Sequence, residues 1–180
     1  MNNCPFGVTA FARHGSSATN SYKLAAGGGK QTLNVGSSFP AGLVFASKTG
    51  DENTAHATLL EITVGANGHD FYDISVVNAY NLPASIQPFN IAVEAPDGKG
   101  CSTPTCTIHN LQTFCKSPNA YHGDYCTNTA GPGSSVTAST KAFKSACPDA
   151  YSYSKDDASS TYSCKTGTDY NFIFCPTGQV

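Results

Sequence analysis

Apolar and polar residues alternate along this chain in short runs, broken by Gly, Pro, Asn and Ser. Alternation of period two marks half-buried strands, whereas helices repeat their apolar positions every three or four residues. From Thr58 to Val64 the pattern sets Leu60, Ile62 and Val64 on one face and Leu59, Glu61 and Thr63 on the other. Phe71 to Val77 reads as a second strand, with Gly65-Ala66-Asn67-Gly68 between the two. Asn-Gly is the strongest short hairpin signal, because both residues accept positive φ. A turn centred near Asn67 predicts cross-strand pairs whose numbers sum to about 134. Glu61 then falls opposite or beside Asp73.

Further strands are predicted at Val8–Ala12, Thr32–Val35, Leu43–Ala46, Phe89–Val93 and Tyr170–Phe174. Gly27-Gly28-Gly29 and Pro96-Asp97-Gly98 read as turns, and the stretch from Thr127 to Thr140 as loop. One short helix is expected near Ser139–Ala146, with a hydroxyl N-cap before Ala142 and Phe143 and Pro148 to stop it. Many short strands with Gly and Pro turns indicate an all-β sandwich or barrel of about ten strands.

Composition narrows the class. At 180 residues the chain fits one domain. Charged residues make up 12% and the net charge is -2, with no basic stripe, which excludes a nucleic-acid partner. No apolar run reaches the roughly 18 residues of a membrane-spanning helix. Eight cysteines, an even number, point to disulfides and an oxidising compartment. Zinc fits poorly: Cys101 and Cys106 are five apart, no C-x-x-C occurs, and no histidine pair has ligand spacing. No metal or cofactor is expected. Asn2-Asn3-Cys4-Pro5-Phe6 reads as a mature terminus preceded by an added Met1, and no N-glycosylation sequon occurs. Gly29-Lys30 lacks the flanking residues of a phosphate loop, and no G-x-S-x-G elbow exists.

Several segments together resemble the thaumatin-like proteins. They are Asn3-Cys4-Pro5-Phe6, Gly27-Gly28-Gly29-Lys30-Gln31, Asp70-Phe71-Tyr72-Asp73-Ile74-Ser75, Asn81-Leu82-Pro83, and a C-terminal signature containing Ala150-Tyr151-Ser152-Tyr153 and Asp156-Asp157. The resemblance implies a flattened antiparallel β-sandwich as a single domain, 1–180, with its core in 1–107 and 148–180. A shortened, disulfide-rich loop lobe would span 108–147. Eight cysteines allow about 105 pairings, and the resemblance implies one: Cys4–Cys175, Cys101–Cys164, Cys106–Cys147 and Cys115–Cys126. A further small lobe of the family is missing, because Thr49-Gly50-Asp51 runs to Glu61 within ten residues. The small, trimmed form resembles fungal or small-type members.

The family's cleft holds an arginine and four carboxylates. Carried over singly, the carboxylates fall on Glu61, Asp73, Asn78 and Asp156, and the arginine near Val44. Asn78 and Val44 are departures. Glycoside hydrolysis needs one protonated carboxyl and one ionised, which makes Glu61 the candidate general acid and Asp73 or Asp156 its partner. Asn78 and Tyr80 are candidate substrate-binding residues, and Tyr151, Tyr153 and Tyr162 could stack on sugar rings. The bland alternatives are a hydrated strand face for the acids, a turn cap for Asp156-Asp157, and core positions for the tyrosines. The resemblance thus implies a secreted monomer engaging β-1,3-glucan or another cell-wall polysaccharide, with weak endo-β-1,3-glucanase activity. The alternatives are a non-catalytic glucan-binding or antifungal protein, and an enzyme inhibitor.

Overall fold

Alternating runs settle into twelve strands in the computed structural model, which describes residues 1–92 and 100–180. They are β1 (Val8–His14), β2 (Asn20–Leu24), β3 (Phe39–Ser47), β4 (Leu59–Ala66), β5 (His69–Ser75), β6 (Ala79–Tyr80), β7 (Ala84–Phe89), β8 (Thr105–Cys106), β9 (Ala120–Tyr121), β10 (Cys126–Thr127), β11 (Tyr162–Lys165) and β12 (Asp169–Phe174). Helices are few and short: α1 (Leu111–Phe114), α2 (Ala138–Ala146) and α3 (Asp157–Ser160). The architecture is all-β and antiparallel. A six-stranded sheet runs β11-β5-β4-β3-β1-β2, a three-stranded sheet β12-β7-β8 faces it, and β6-β10-β9 forms a third, small sheet.

The β4–β5 hairpin keeps the predicted register. Leu59 pairs with Ser75, Leu60 with Ile74, Glu61 with Asp73 and Ile62 with Tyr72. Asn67 and Gly68 both have positive φ, the requirement of a two-residue turn of type I′. Leu60, Ile62 and Ile74 are buried in the main core between the sheets. On the sheet's other face a second cluster forms from Phe11, Phe45, Ala57 and Leu59, with the Phe11 and Phe45 rings stacked. This sheet is therefore apolar on part of both faces.

Helix α2 begins at the Thr137 cap, where Thr137 and Thr140 form a reciprocal capping box, and it ends two residues before Pro148. Several expectations need correction. Thr32–Val35 forms no strand: Asn34 accepts the Gly36 amide in a local turn, and no neighbouring strand pairs with the segment. The strand expected at Phe89–Val93 instead occupies Ala84–Phe89. Val93 and the turn at Pro96-Asp97-Gly98 lie outside the described residues.

Four disulfides close as the resemblance implies: Cys4–Cys175, Cys101–Cys164, Cys106–Cys147 and Cys115–Cys126. No cysteine is free. No helix among the described residues is long and apolar enough to cross a membrane. The loop after β3 meets the segment between β9 and β10 through aromatic stacking. The His56 ring lies 4.2 Å from Tyr125, and Tyr125 lies 4.7 Å from His122.

Candidate functional site

Pairing across the six-stranded sheet builds the site one residue at a time. Glu61 on β4 faces Asp73 on β5, Leu43 on β3 faces Glu61, and Arg13 on β1 faces Leu43. Directly opposed residues share a face, so these four form one row across the outer surface of the sheet. Asp73 and Glu61 are half-buried, next to the apolar cluster that Leu43 joins.

Burial sets the electrostatics of the pair. Desolvation raises the Glu61 carboxyl above its ordinary pKa. Asp73 is pushed well above the carboxylate range, first by desolvation and then by the charges of Glu61 and Asp157. Its Oδ1 is buried and accepts no hydrogen bond. Two like charges held side by side in a partly dry setting cannot both ionise freely. They share protons as a coupled pair.

The fourth carboxylate of the resemblance goes elsewhere. Asp156 is only 6% exposed, and its Oδ2 lies 2.8 Å from the Lys144 ammonium. That oxygen also accepts the Ser152 amide and hydroxyl, while Oδ1 accepts the Ser159 hydroxyl at 2.5 Å. Desolvation acts to raise its pKa, but Lys144, Ser159 and Ser152 outweigh it and hold the carboxyl below its ordinary value. Asp156 is thus an ionised anchor for α2 and the segment before α3. Its neighbour Asp157, exposed in the first turn of α3, is the one whose charge reaches Asp73. Tyr151 joins the same group, donating to Asp157 Oδ1 at 2.9 Å and contacting Thr161. Burial raises the Tyr151 hydroxyl pKa, and the charges of Asp73 and Asp157 raise it further.

Tyr80 lies in the core. It is 1% exposed, and its hydroxyl accepts the Ile108 amide at 2.9 Å, so neither ring face is open to a sugar. Tyr162 is also buried, its hydroxyl donating to Asp149. Asn78 is half-buried, its carbonyl accepting the Asn128 amide. Val44 pairs with Leu60 on the inner face, away from the acids. The cation in the acidic row is Arg13, two strand spacings or about 10 Å from Glu61. Sequence reasoning missed Arg13 because the pairing of β1 with β3 is long-range. It weighed Asp157 only as part of a cap, although the short run Asp157–Ser160 before β11 was the available signal.

Comparison with known proteins follows the same lines. A model described as the thaumatin family matches residues 44–176. A pathogenesis-related thaumatin-like protein 3.7 from Cryptomeria japonica is 35% identical over 168 residues, covering 79% of this chain and 68% of that protein. Protein 3.8 of the same species is 40% identical over 124 residues, covering 67% of this chain and 54% of its own length. A solved thaumatin-like xylanase inhibitor aligns over 97% of this chain and 96% of its own, with a TM-score of 0.49 and 11% identity.

Proposed function

This chain belongs to the thaumatin family, and from that premise we propose that it is a secreted protein that engages β-1,3-glucan at the Glu61–Asp73 face and hydrolyses it weakly. One observation carries the reading: two carboxyls with raised pKa stand directly opposite each other, and a third charge reaches one of them.

Asp73 is the proton holder. It sits between two carboxylates, and its buried, unpartnered oxygen has no donor to stabilise an anion. Protonated, it donates to the glycosidic oxygen as the bond breaks. Glu61, ionised, bonds to the anomeric carbon as the leaving group departs, and a water deprotonated by Asp73 then displaces Glu61 and releases the sugar. The resemblance offered these roles in reverse, and the position of Asp73 is the reason for exchanging them. Directly opposed residues have Cβ atoms about 4.5–5.5 Å apart, which leaves little room for an intervening water. A retaining path needs the two carboxyl groups about 5–5.5 Å apart, and direct opposition on one face brings them together. Asp157 keeps the shared proton in place at higher pH.

Four closed disulfides and the absence of a free thiol support secretion. A second reading, a glucan-binding defence protein that does not cut, is favoured by Asp156 and Asn78. With one acid spent on Lys144 and another replaced by an amide, the face holds fewer carboxylates than the resemblance implies. Sugar release from a soluble β-1,3-glucan, set beside co-sedimentation with the insoluble polymer, separates the two. Wild type should release sugar and sediment, whereas Glu61→Gln and Asp73→Asn should sediment without release. Sedimentation with no release by any of the three would leave the binding reading alone. No sedimentation by wild type would remove both.

A further inference from the structure

On the opposite side of the six-stranded sheet lies a space that the acidic face does not use. Six strands are faced by only three, and β7 of the smaller sheet packs over β4 and β5. The β1–β2 side of the inner surface therefore faces only the edge strand β12. A cavity of about 720 Å³ opens there, between the two sheets.

Its floor is made by Ala10 and Ala12 of β1, Val44 of β3, and Ile62 and Val64 of β4. Alanines at two floor positions leave the space that larger side chains would fill. Phe172 and Phe174 of β12 form the facing wall. Protein interiors rarely keep voids larger than a water molecule. A volume of this size falls within the 300–1,000 Å³ range of small-molecule sites. The mouth is apolar as well: Leu33 and Phe89 line it and stay 42% and 39% exposed.

The polar groups decide what kind of molecule fits. Among the described residues, the lining contains no lysine or arginine. The amino group of Met1 donates to the Phe172 carbonyl at 2.6 Å. Gln31, Thr32 and Asn34 at the rim are neutral, and the one carboxylate, Asp169, accepts from Asn90. An anionic headgroup would meet Asp169 and, as counter-charge, only the Met1 ammonium, whose pKa burial lowers. A neutral headgroup with a hydroxyl would meet amides, hydroxyls and Asp169, each able to hydrogen-bond it. Packed sheets stand about 10 Å apart, backbone to backbone, so the gap left between their side chains is thinner than it is wide, which suits a flat fused-ring skeleton.

We propose that this cavity binds a neutral, hydroxyl-bearing polycyclic lipid of the sterol class, its rings between Ala12 and Phe172 and its hydroxyl at the rim. This site is independent of the glucan reading.

The chain has no tryptophan, so energy transfer from tyrosine to the fluorescent sterol dehydroergosterol reports occupancy with little background. Saturable binding of one sterol per chain is expected, at least about tenfold tighter than the fluorescent fatty acid cis-parinaric acid. Ala12→Phe, which fills the floor, should weaken the sterol about tenfold or more. Leu33→Asp and Phe89→Asp, both at exposed positions, should weaken it severalfold and leave glucan sedimentation unchanged. No saturable sterol binding, or tighter binding of the fatty acid, would overturn the proposal. So would sterol binding indifferent to a folded Ala12→Phe variant. Should that variant not fold, indifference to both rim variants decides against it.

Discussion

Glu61 and Asp73 are direct cross-strand partners on the β4–β5 hairpin, two carboxyls facing each other on the outer surface of a six-stranded sheet. Like charges in that relation destabilise a strand pair. Removing one should therefore stabilise the fold. At neutral pH, Asp73→Asn is expected to raise unfolding stability by up to about 1 kcal/mol. Both native pKa values are raised, so between the ordinary carboxylate range and those values the native state binds more protons than the unfolded chain. Stability contributed by this pair is present below that window and is lost as pH rises through it. Denaturant melts of wild type from mildly acid to neutral pH should show the decline, and Asp73→Asn should flatten it. A wild-type profile that rises across that window, and is unaltered by the substitution, would contradict the pairing.

Asp157 raises the Asp73 pKa by its charge. Asp157→Asn should accordingly lower the apparent pKa of the Glu61–Asp73 pair, followed by carboxyl ¹³C shifts in an NMR titration. If the pair hydrolyses glucan, the alkaline limb of its pH–rate curve should move down in step, since the acid loses its proton earlier. Asp156→Asn should leave the titration of the pair nearly in place, because that carboxylate is committed to Lys144. Equal effects of the two substitutions would refute the assignment of Asp157 over Asp156.

The hairpin was legible in the sequence because its signals are local: an Asn-Gly turn and alternation on both sides fix the register to within a residue. Helix α2 was legible within a residue for the same reason, with Pro148 close behind it, although its cap is Thr137. What escaped depends on distant partners. Tyr80 is polar-tipped and could sit at a rim, and only the Ile108 amide arriving from another segment buries it. The strand Ala84–Phe89 contains Pro88, which demotes a strand in any reading by pattern. It is tolerated because β8 pairs with β7 only at Ala84 and Ser85, leaving Pro88 unpaired on that side. The disulfide pairing came from family resemblance, not from spacing, and four correct closures rest on that source.

Lys144 holds Asp156 and also donates to the carbonyls of Pro148 and Ala150 and to the Ser160 hydroxyl. Lys144→Met would leave a nearly buried carboxylate without its counter-ion. Breaking a fully buried pair in this way costs about 3–5 kcal/mol. Because the lysine is partly exposed, about 2 kcal/mol is the expected loss. The Asp156 pKa is depressed in the native state, so this stabilisation is present above the ordinary carboxylate value and is lost as pH falls through the native one. Urea melts of wild type and Lys144→Met near pH 6 should differ by that amount, and the gap should narrow in acid. A gap that widens in acid would show that the interaction is not ionic.

Cys4–Cys175 and Cys115–Cys126 offer a comparison within one molecule. The first joins residues 171 apart in sequence and the second residues only 11 apart. In the chain-entropy model the longer loop removes more freedom from the unfolded state, about 5 kcal/mol against about 3. Replacing Cys4 and Cys175 together by Ser should thus lower stability by roughly 2 kcal/mol more than replacing Cys115 and Cys126. The first pair also anchors the first residues, where Asn2 bonds to the Gly29 carbonyl and Asn3 to that of Phe174. Its removal should free these amides to exchange, whereas removal of the second pair should leave them protected. Hydrogen exchange read by mass spectrometry, alongside denaturant melts, tests both statements. An equal or reversed order of stability would mean that native-state packing around Cys115 and Cys126 outweighs loop entropy.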